Sequence, residues 1–104
     1  MSKLFKKQVQ FGLMLPRLLR FIQESGYQYT IGQTVRCPDC SRGHERSLHK
    51  KALAVDINLF AKDGTYLQNG KDHEAMHDFW DSIGGAERIA GDLNHYSVEY
   101  GGMR

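Results

Sequence analysis

Ser47-Leu48-His49-Lys50-Lys51-Ala52-Leu53-Ala54-Val55-Asp56-Ile57-Asn58-Leu59 is the stretch that decides the fold. From Leu53 onward it alternates. Leu53, Val55, Ile57 and Leu59 fall on one side of an extended chain, Ala54, Asp56 and Asn58 on the other. A period of two belongs to a half-buried strand, with the apolar side turned to a core and the other side left for chemistry. Asp56 stands on a face cleared by alanine, and His49 lies seven residues upstream, so the two are a pair of metal-ligand types. Asn94-His95-Tyr96-Ser97-Val98-Glu99-Tyr100 repeats the arrangement near the end of the chain. There His95, Ser97 and Glu99 face one way, and Tyr96, Val98 and Tyr100 the other. Two strands that each offer a ligand from the polar face are the geometry of a zinc site built on a sheet.

A chain of 104 residues predicts one domain, 1–104, with a single core. Hydrophobic residues at 40% and charged residues at 25% belong to a folded globular chain and exclude wholesale disorder. A net charge of +2 is too small to call for a nucleic-acid partner. Lys3, Lys6, Lys7, Arg17 and Arg20 read as the solvated face of a helix. No apolar run approaches the ~20 residues of a membrane span. Phe11 to Leu15 is too short for a signal-peptide core, and Pro16 and Arg17 interrupt it. The expectation is a monomer made in the cytoplasm without a Sec signal and without membrane insertion. A substrate beyond the membrane would then require release by another agent.

Elsewhere the punctuation is helical. Residues 3 to 25 predict an amphipathic helix, with Val9, Leu13, Leu15, Leu18, Leu19 and Ile22 near helical spacing, a kink or split at Pro16, and a stop at Ser25-Gly26. Tyr27 to Thr34 suits a short strand, and Cys37 to Arg46 a polar loop. Strand 53 to 59 closes on a Lys62-Asp63-Gly64 turn. A second helix runs from an Asp72 N-cap to a Gly84 stop, carrying Met76, Phe79, Trp80 and Ile83 as an i, i+3, i+4, i+7 stripe. Gly84-Gly85 then opens a loop to Asp92, and strand 94 to 100 follows. The predicted class is α+β: a small antiparallel sheet with helices packed on one side and the zinc site on the sheet.

Three groups of residues compete for a metal. His49, Asp56 and His95 offer two imidazoles and a carboxylate, which leave one position of a tetrahedral Zn²⁺ open, as a catalytic ion requires. Asp92, three residues before His95, stands where a general base would be needed. Spacing alone also allows His49 and His95 to be solvated strand residues. His73-Glu74-Ala75-Met76-His77 matches H-E-x-x-H, but at a helix start rather than mid-helix. Trp80 and Ile83 also occupy the places where the extended motif has glycine and histidine. Cys37-Pro38-Asp39-Cys40, with His44 and His49 following, has the spacing of a zinc knuckle and would make the chain a non-catalytic zinc-binding module. Two free thiols in a surface loop are the simpler alternative.

The residues also resemble a family. Ser47-x-His49-x-x-Ala52-x-Ala54-x-Asp56 is similar to the S-x-H-x-x-G-x-A-x-D motif of LAS-type zinc peptidases, the D-Ala-D-Ala carboxypeptidases and L-alanyl-D-glutamate peptidases related to VanX and VanY. Asp92-Leu93-Asn94-His95 resembles their second motif, an acidic residue three positions before a zinc-binding histidine. Asp92 to Ser97 and Ala54 to Phe60 look most like the small peptidases of phage lysis modules. The resemblance covers residues 36 to 100. It implies one catalytic Zn²⁺ on His49, Asp56 and His95, Asp92 as general base, and an arginine that polarises the scissile carbonyl. Arg36 matches that arginine best, with Arg42 and Arg46 as alternatives. Ser47 would bind substrate. The implied substrate is the peptide stem of peptidoglycan, reached after holin-dependent release if the chain is a phage endolysin. Two departures stand out. The motif's glycine is Ala52, a change that keeps the residue small, and the segment from Gly85 to Asp92 is short.

Overall fold

Leu53, Val55, Ile57 and Leu59 are all fully buried, so the alternation of the central stretch does turn one face of a strand to the core. The structure is a computed structural model that describes residues 2–32 and 51–104. The elements in chain order are α1 (Lys3–Glu24), β1 (Gln28–Ile31), β2 (Ala54–Phe60), α2 (Lys71–Ser82) and β3 (His95–Ser97). The three strands form one antiparallel sheet in the order β1-β2-β3. Both helices pack on its apolar side: Phe11, Met14, Leu18 and Ile22 of α1 and Met76 and Trp80 of α2 share one cluster with the odd-numbered residues of β2, Tyr96 and Val98. This is the expected α+β domain.

The central strand is covered on both sides. Ala54 is 1% exposed although it points away from the helices. Tyr29 and Ile31 of β1 stand opposite Leu59 and Ile57, while Tyr96 of β3 stands opposite Val55. Strand β3 is shorter than the 94–100 expected. Beyond Ser97 one further bond, from Val98 N to Leu53 O at 3.1 Å, continues the pairing. Tyr100 then pairs with Met103 across Gly101-Gly102, whose φ values of 60° and 81° make a tight hairpin turn that side chains disfavour.

Helix α1 runs unbroken through Pro16. Ser2 caps it, its Oγ accepting from Phe5 N at 3.1 Å. The face it buries is not the whole of the expected stripe. Phe11 and Met14 lie inside, whereas Val9 and Leu13 are 46% and 69% exposed. Apolar residues occupy two faces of this helix, and packing selected the one with the larger side chains.

Helix α2 begins one residue before Asp72, with Gly70 as N-cap and no side-chain bond to it. Asp72 lies in the first turn instead, where its charge favours the helix dipole, and it accepts a hydrogen bond from the Tyr27 hydroxyl at 2.9 Å. Asn69 supplies the local stop, its Oδ1 accepting from Lys71 N at 3.2 Å. Leu93 packs closely over Gly70: a Cβ there would sit 2.0 Å from Leu93 Cδ1, so the leucine side chain would have to shift. The helix ends as expected at Gly84. With φ at 103°, it lets Gly84 N bond to Asp81 O at 3.2 Å and Gly85 N to Trp80 O at 2.8 Å, the paired bonds of a Schellman end.

Candidate metal centre

Register places Asp56 and His95 together. They are directly opposed residues of β2 and β3, so their side chains leave the sheet on the same face, the face away from the helices. Nδ1 of His95 lies 3.6 Å from Oδ1 of Asp56, with the two side chains 9% and 22% exposed. On the other flank of Asp56 is Gly32, whose N–H donates to Asp56 O at 2.8 Å. A Cβ on Gly32 would come within 3.3 Å of Asp56 Cβ, so the missing side chain leaves room beside the carboxylate.

Zinc bonds to imidazole nitrogen and carboxylate oxygen of about 2.0–2.2 Å in a tetrahedral shell put two ligand atoms about 3.3–3.5 Å apart. The Asp56–His95 spacing fits two ligands of one ion, and the donor set suits zinc. Among the described residues, no three histidines, cysteines, aspartates or glutamates form a metal-holding group. The expected third ligand, His49, lies outside the described residues, as do Arg36, Ser47, and the Cys37, Cys40 and His44 cluster with Arg42 and Arg46.

Asp92 sits in the turn that leads into β3. Its N–H donates to Ile89 O at 3.0 Å and its carbonyl accepts from His95 N at 3.1 Å, which ties the turn to the first residue of the strand. Asp92 is exposed and lines a cleft of 330 Å³ together with Tyr66, Gln68, His73 and Asn94. The cleft's far wall is polar and cross-linked. Tyr66 Oη and Asn94 Nδ2 each lie 3.4 Å from Asn58 Oδ1, and Asn58 is on the same face of β2 as Asp56. Ile57 N donates to Asn94 O at 2.8 Å, so the turn carrying Asp92 is anchored to β2 as well as to β3.

The H-E-x-x-H histidines belong to the packed side of α2, from which His73 also reaches the cleft that Asp92 lines. His73 and His77 are 4% and 0% exposed within the packed side of α2, and Glu74 is exposed to solvent. The His73 ring nitrogen Nδ1 is 2.6 Å from the Tyr96 hydroxyl, and His77 stacks on the Tyr96 ring with centroids 4.2 Å apart. Their ring centroids are 6.5 Å apart, and among the described residues no carboxylate completes a ligand set around them. Burial, with the neighbouring His77 second, lowers His73 to a pKa of about 4; Asp72 opposes weakly. Burial also lowers His77, against the backbone bond to Leu93, which raises it. Tyr96 is pushed well above the usual tyrosine range by burial.

His77 nevertheless has work to do near the centre, a role that its motif spacing did not suggest. Nε2 lies 2.7 Å from Leu93 O, and because a carbonyl only accepts, Nε2 carries the proton. The bond fixes the residue next to Asp92 to helix α2. Leu93 is held a second time by its packing over Gly70. Trp80 secures the other end of β3, its Nε1–H donating to Ser97 O at 2.7 Å. A histidine buried behind a cleft carries no local mark that separates such a clamp from an ordinary buried residue.

Ala52 gives the departure from the resembled motif a conformational meaning. It has φ 58°, the one positive value among the described non-glycine residues. The position is left-handed, where glycine is at ease and an L side chain is strained. Backbone freedom, rather than small size alone, is therefore what this position asks for. No family model matches the chain, and no curated protein matches it.

Proposed function

We propose that the chain is a zinc metallopeptidase that hydrolyses an amide bond in the peptide stem of bacterial peptidoglycan, as an L-Ala-D-Glu endopeptidase or a D-Ala-D-Ala carboxypeptidase. The observation that carries this is the pairing of Asp56 with His95 on one sheet face, 3.6 Å apart, beside a cleft that Asp92 lines. Left-handed Ala52 supports the likeness to the zinc-peptidase motif independently, since it explains why that motif has glycine there.

His49, Asp56 and His95 would hold the ion. Bound there, Zn²⁺ would acidify water and polarise the scissile carbonyl. Asp92 is exposed at the cleft, free to take a proton as water attacks and to return it to the leaving amine. Arg36 would offset the charge that develops on the carbonyl oxygen, a contribution of about 3 kcal/mol in comparable sites. Ser47 would hydrogen-bond the stem peptide. The polar wall formed by Asn58, Tyr66 and Asn94 offers both donors and acceptors to a peptide backbone. Action on the wall would follow release through the membrane, as for a phage endolysin freed by a holin.

Purified peptidoglycan incubated with zinc-loaded protein, followed by mass spectrometry of the fragments, tests the proposal and names the bond. Release of fragments with new stem-peptide ends, abolished by chelator and by Asp92→Ala, is the expected result. No cleavage, or full activity in Asp92→Ala, would sink it.

A further inference from the structure

The side of α1 turned away from the core is apolar where a helix in water should be polar. Phe5, Val9 and Leu13 are 48%, 46% and 69% exposed. At i, i+4 and i+8 they form one line along the helix, opposite the buried line of Phe11, Met14, Leu18 and Ile22. Cations border that line. Lys6, Arg17 and Arg20 are exposed, and no aspartate or glutamate occurs before Glu24 in the helix. Further round, Lys3, Lys6 and Lys7 with Gln10 and Tyr100 line a groove of 520 Å³. The groove's one carboxylate, Glu99, is engaged by Gly102 N at 2.6 Å. Among the described residues, Lys3, Lys6, Lys7 and Arg17 make no ion pair, and Arg20 meets only Glu24, at 3.6 Å and well exposed.

An exposed apolar line bordered by cations, with no acidic residue before Glu24, suits a layer of hydrocarbon beneath a layer of negative charge. We propose that the outer face of α1 seats on an anionic phospholipid bilayer. Phe5, Val9 and Leu13 enter the headgroup–acyl boundary, and Lys6, Arg17 and Arg20, on the same side of the helix, contact lipid phosphates. No described helix is long and apolar enough to cross a membrane, so the contact is one of lying on the surface. The observations that carry this are on α1 and are independent of the hydrolytic proposal.

Co-sedimentation of the full chain with phosphatidylcholine vesicles, with and without phosphatidylglycerol, reads this out. Wild type partitions onto the anionic vesicles at least about tenfold more strongly than onto neutral ones. Lys6→Gln and Arg17→Gln each weaken that binding about fivefold, from a contribution of ~1 kcal/mol per cation near such a surface. The double variant Val9→Ser/Leu13→Ser, with an unchanged circular dichroism spectrum, weakens it by at least about tenfold. Both positions are exposed, so the fold does not depend on them. Equal binding to neutral vesicles would overturn the proposal, as would undiminished binding of the double serine variant. Concentration-dependent dimers that vanish in that variant, without vesicle binding, would assign the face to a second copy of the chain instead.

Discussion

Acidification should destabilise the domain through one buried ring. His73 is 4% exposed, held neutral between Tyr96 and His77, with a pKa lowered to about 4 by burial first and by His77 second. In the unfolded chain it titrates near its ordinary value of 6.5. Between these two values the unfolded state binds more protons than the folded one, so stability rises with pH across the window. The contribution is complete above about pH 6.5 and is lost as pH falls toward 4. The full gap corresponds to roughly 3 kcal/mol, and roughly 2 kcal/mol of it disappears between pH 7.5 and pH 5. Urea unfolding of wild type and His73→Asn at both pH values isolates the effect, since every other titrating group contributes to both proteins. The wild type's advantage over His73→Asn should shrink by about 2 kcal/mol on going to pH 5. A stability difference that stays constant between the two pH values would refute the assignment of a buried, neutral His73.

Two further substitutions probe the frame around the candidate metal centre. Ala52→Gly relieves a left-handed alanine and should raise stability by about 1 kcal/mol in urea unfolding, with the proposed wall cleavage retained; a loss of stability would show that the positive φ is not the native state. His77→Ala removes the donor to Leu93 O and a fully buried ring stacked on Tyr96, and should cost about 2–4 kcal/mol. At temperatures where the variant remains folded, its zinc content should match wild type, because His77 holds the turn rather than the ion. Zinc loss equal to that of His95→Ala would restore H-E-x-x-H as the ligand set.

What the sequence disclosed, it disclosed through local periodicity. The alternation from Leu53 to Leu59 fixes both the strand and the face that carries Asp56, because a period of two has only one solution once a core is present. The Gly84 stop and the Met76/Trp80 stripe were equally plain, since a left-handed glycine and helical spacing are local properties. Helix α1 was ambiguous for a physical reason. Phe5, Val9 and Leu13 form an apolar line as regular as the buried one, and only tertiary packing chooses between them. Asp72 has the residue type of a cap, but the helix starts at Lys71 and Asp72 falls in its first turn, where it accepts from Tyr27, a partner 45 residues away in the chain. H-E-x-x-H reports that two histidines share a helix face and says nothing about whether that face meets solvent. The pairing of Asp56 with His95 was legible only as two polar faces; the register that joins them is a long-range property of the sheet. The importance of Gly32 beside Asp56 carried no sequence mark at all, since it depends on which residue β1 brings opposite the carboxylate.

Everything proposed about catalysis depends on Asp56 and His95 ligating the same ion, and zinc titration against a competing chelator measures that directly. Wild type should bind one zinc per chain. Asp56→Ala and His95→Ala should each weaken binding by more than the ~100-fold that loss of an outer hydrogen bond can cost, while Cys37→Ser/Cys40→Ser should leave it unchanged. Zinc retained at wild-type affinity in Asp56→Ala and His95→Ala, but lost in the double serine variant, would move the metal to the Cys37/Cys40/His44 cluster and contradict the account.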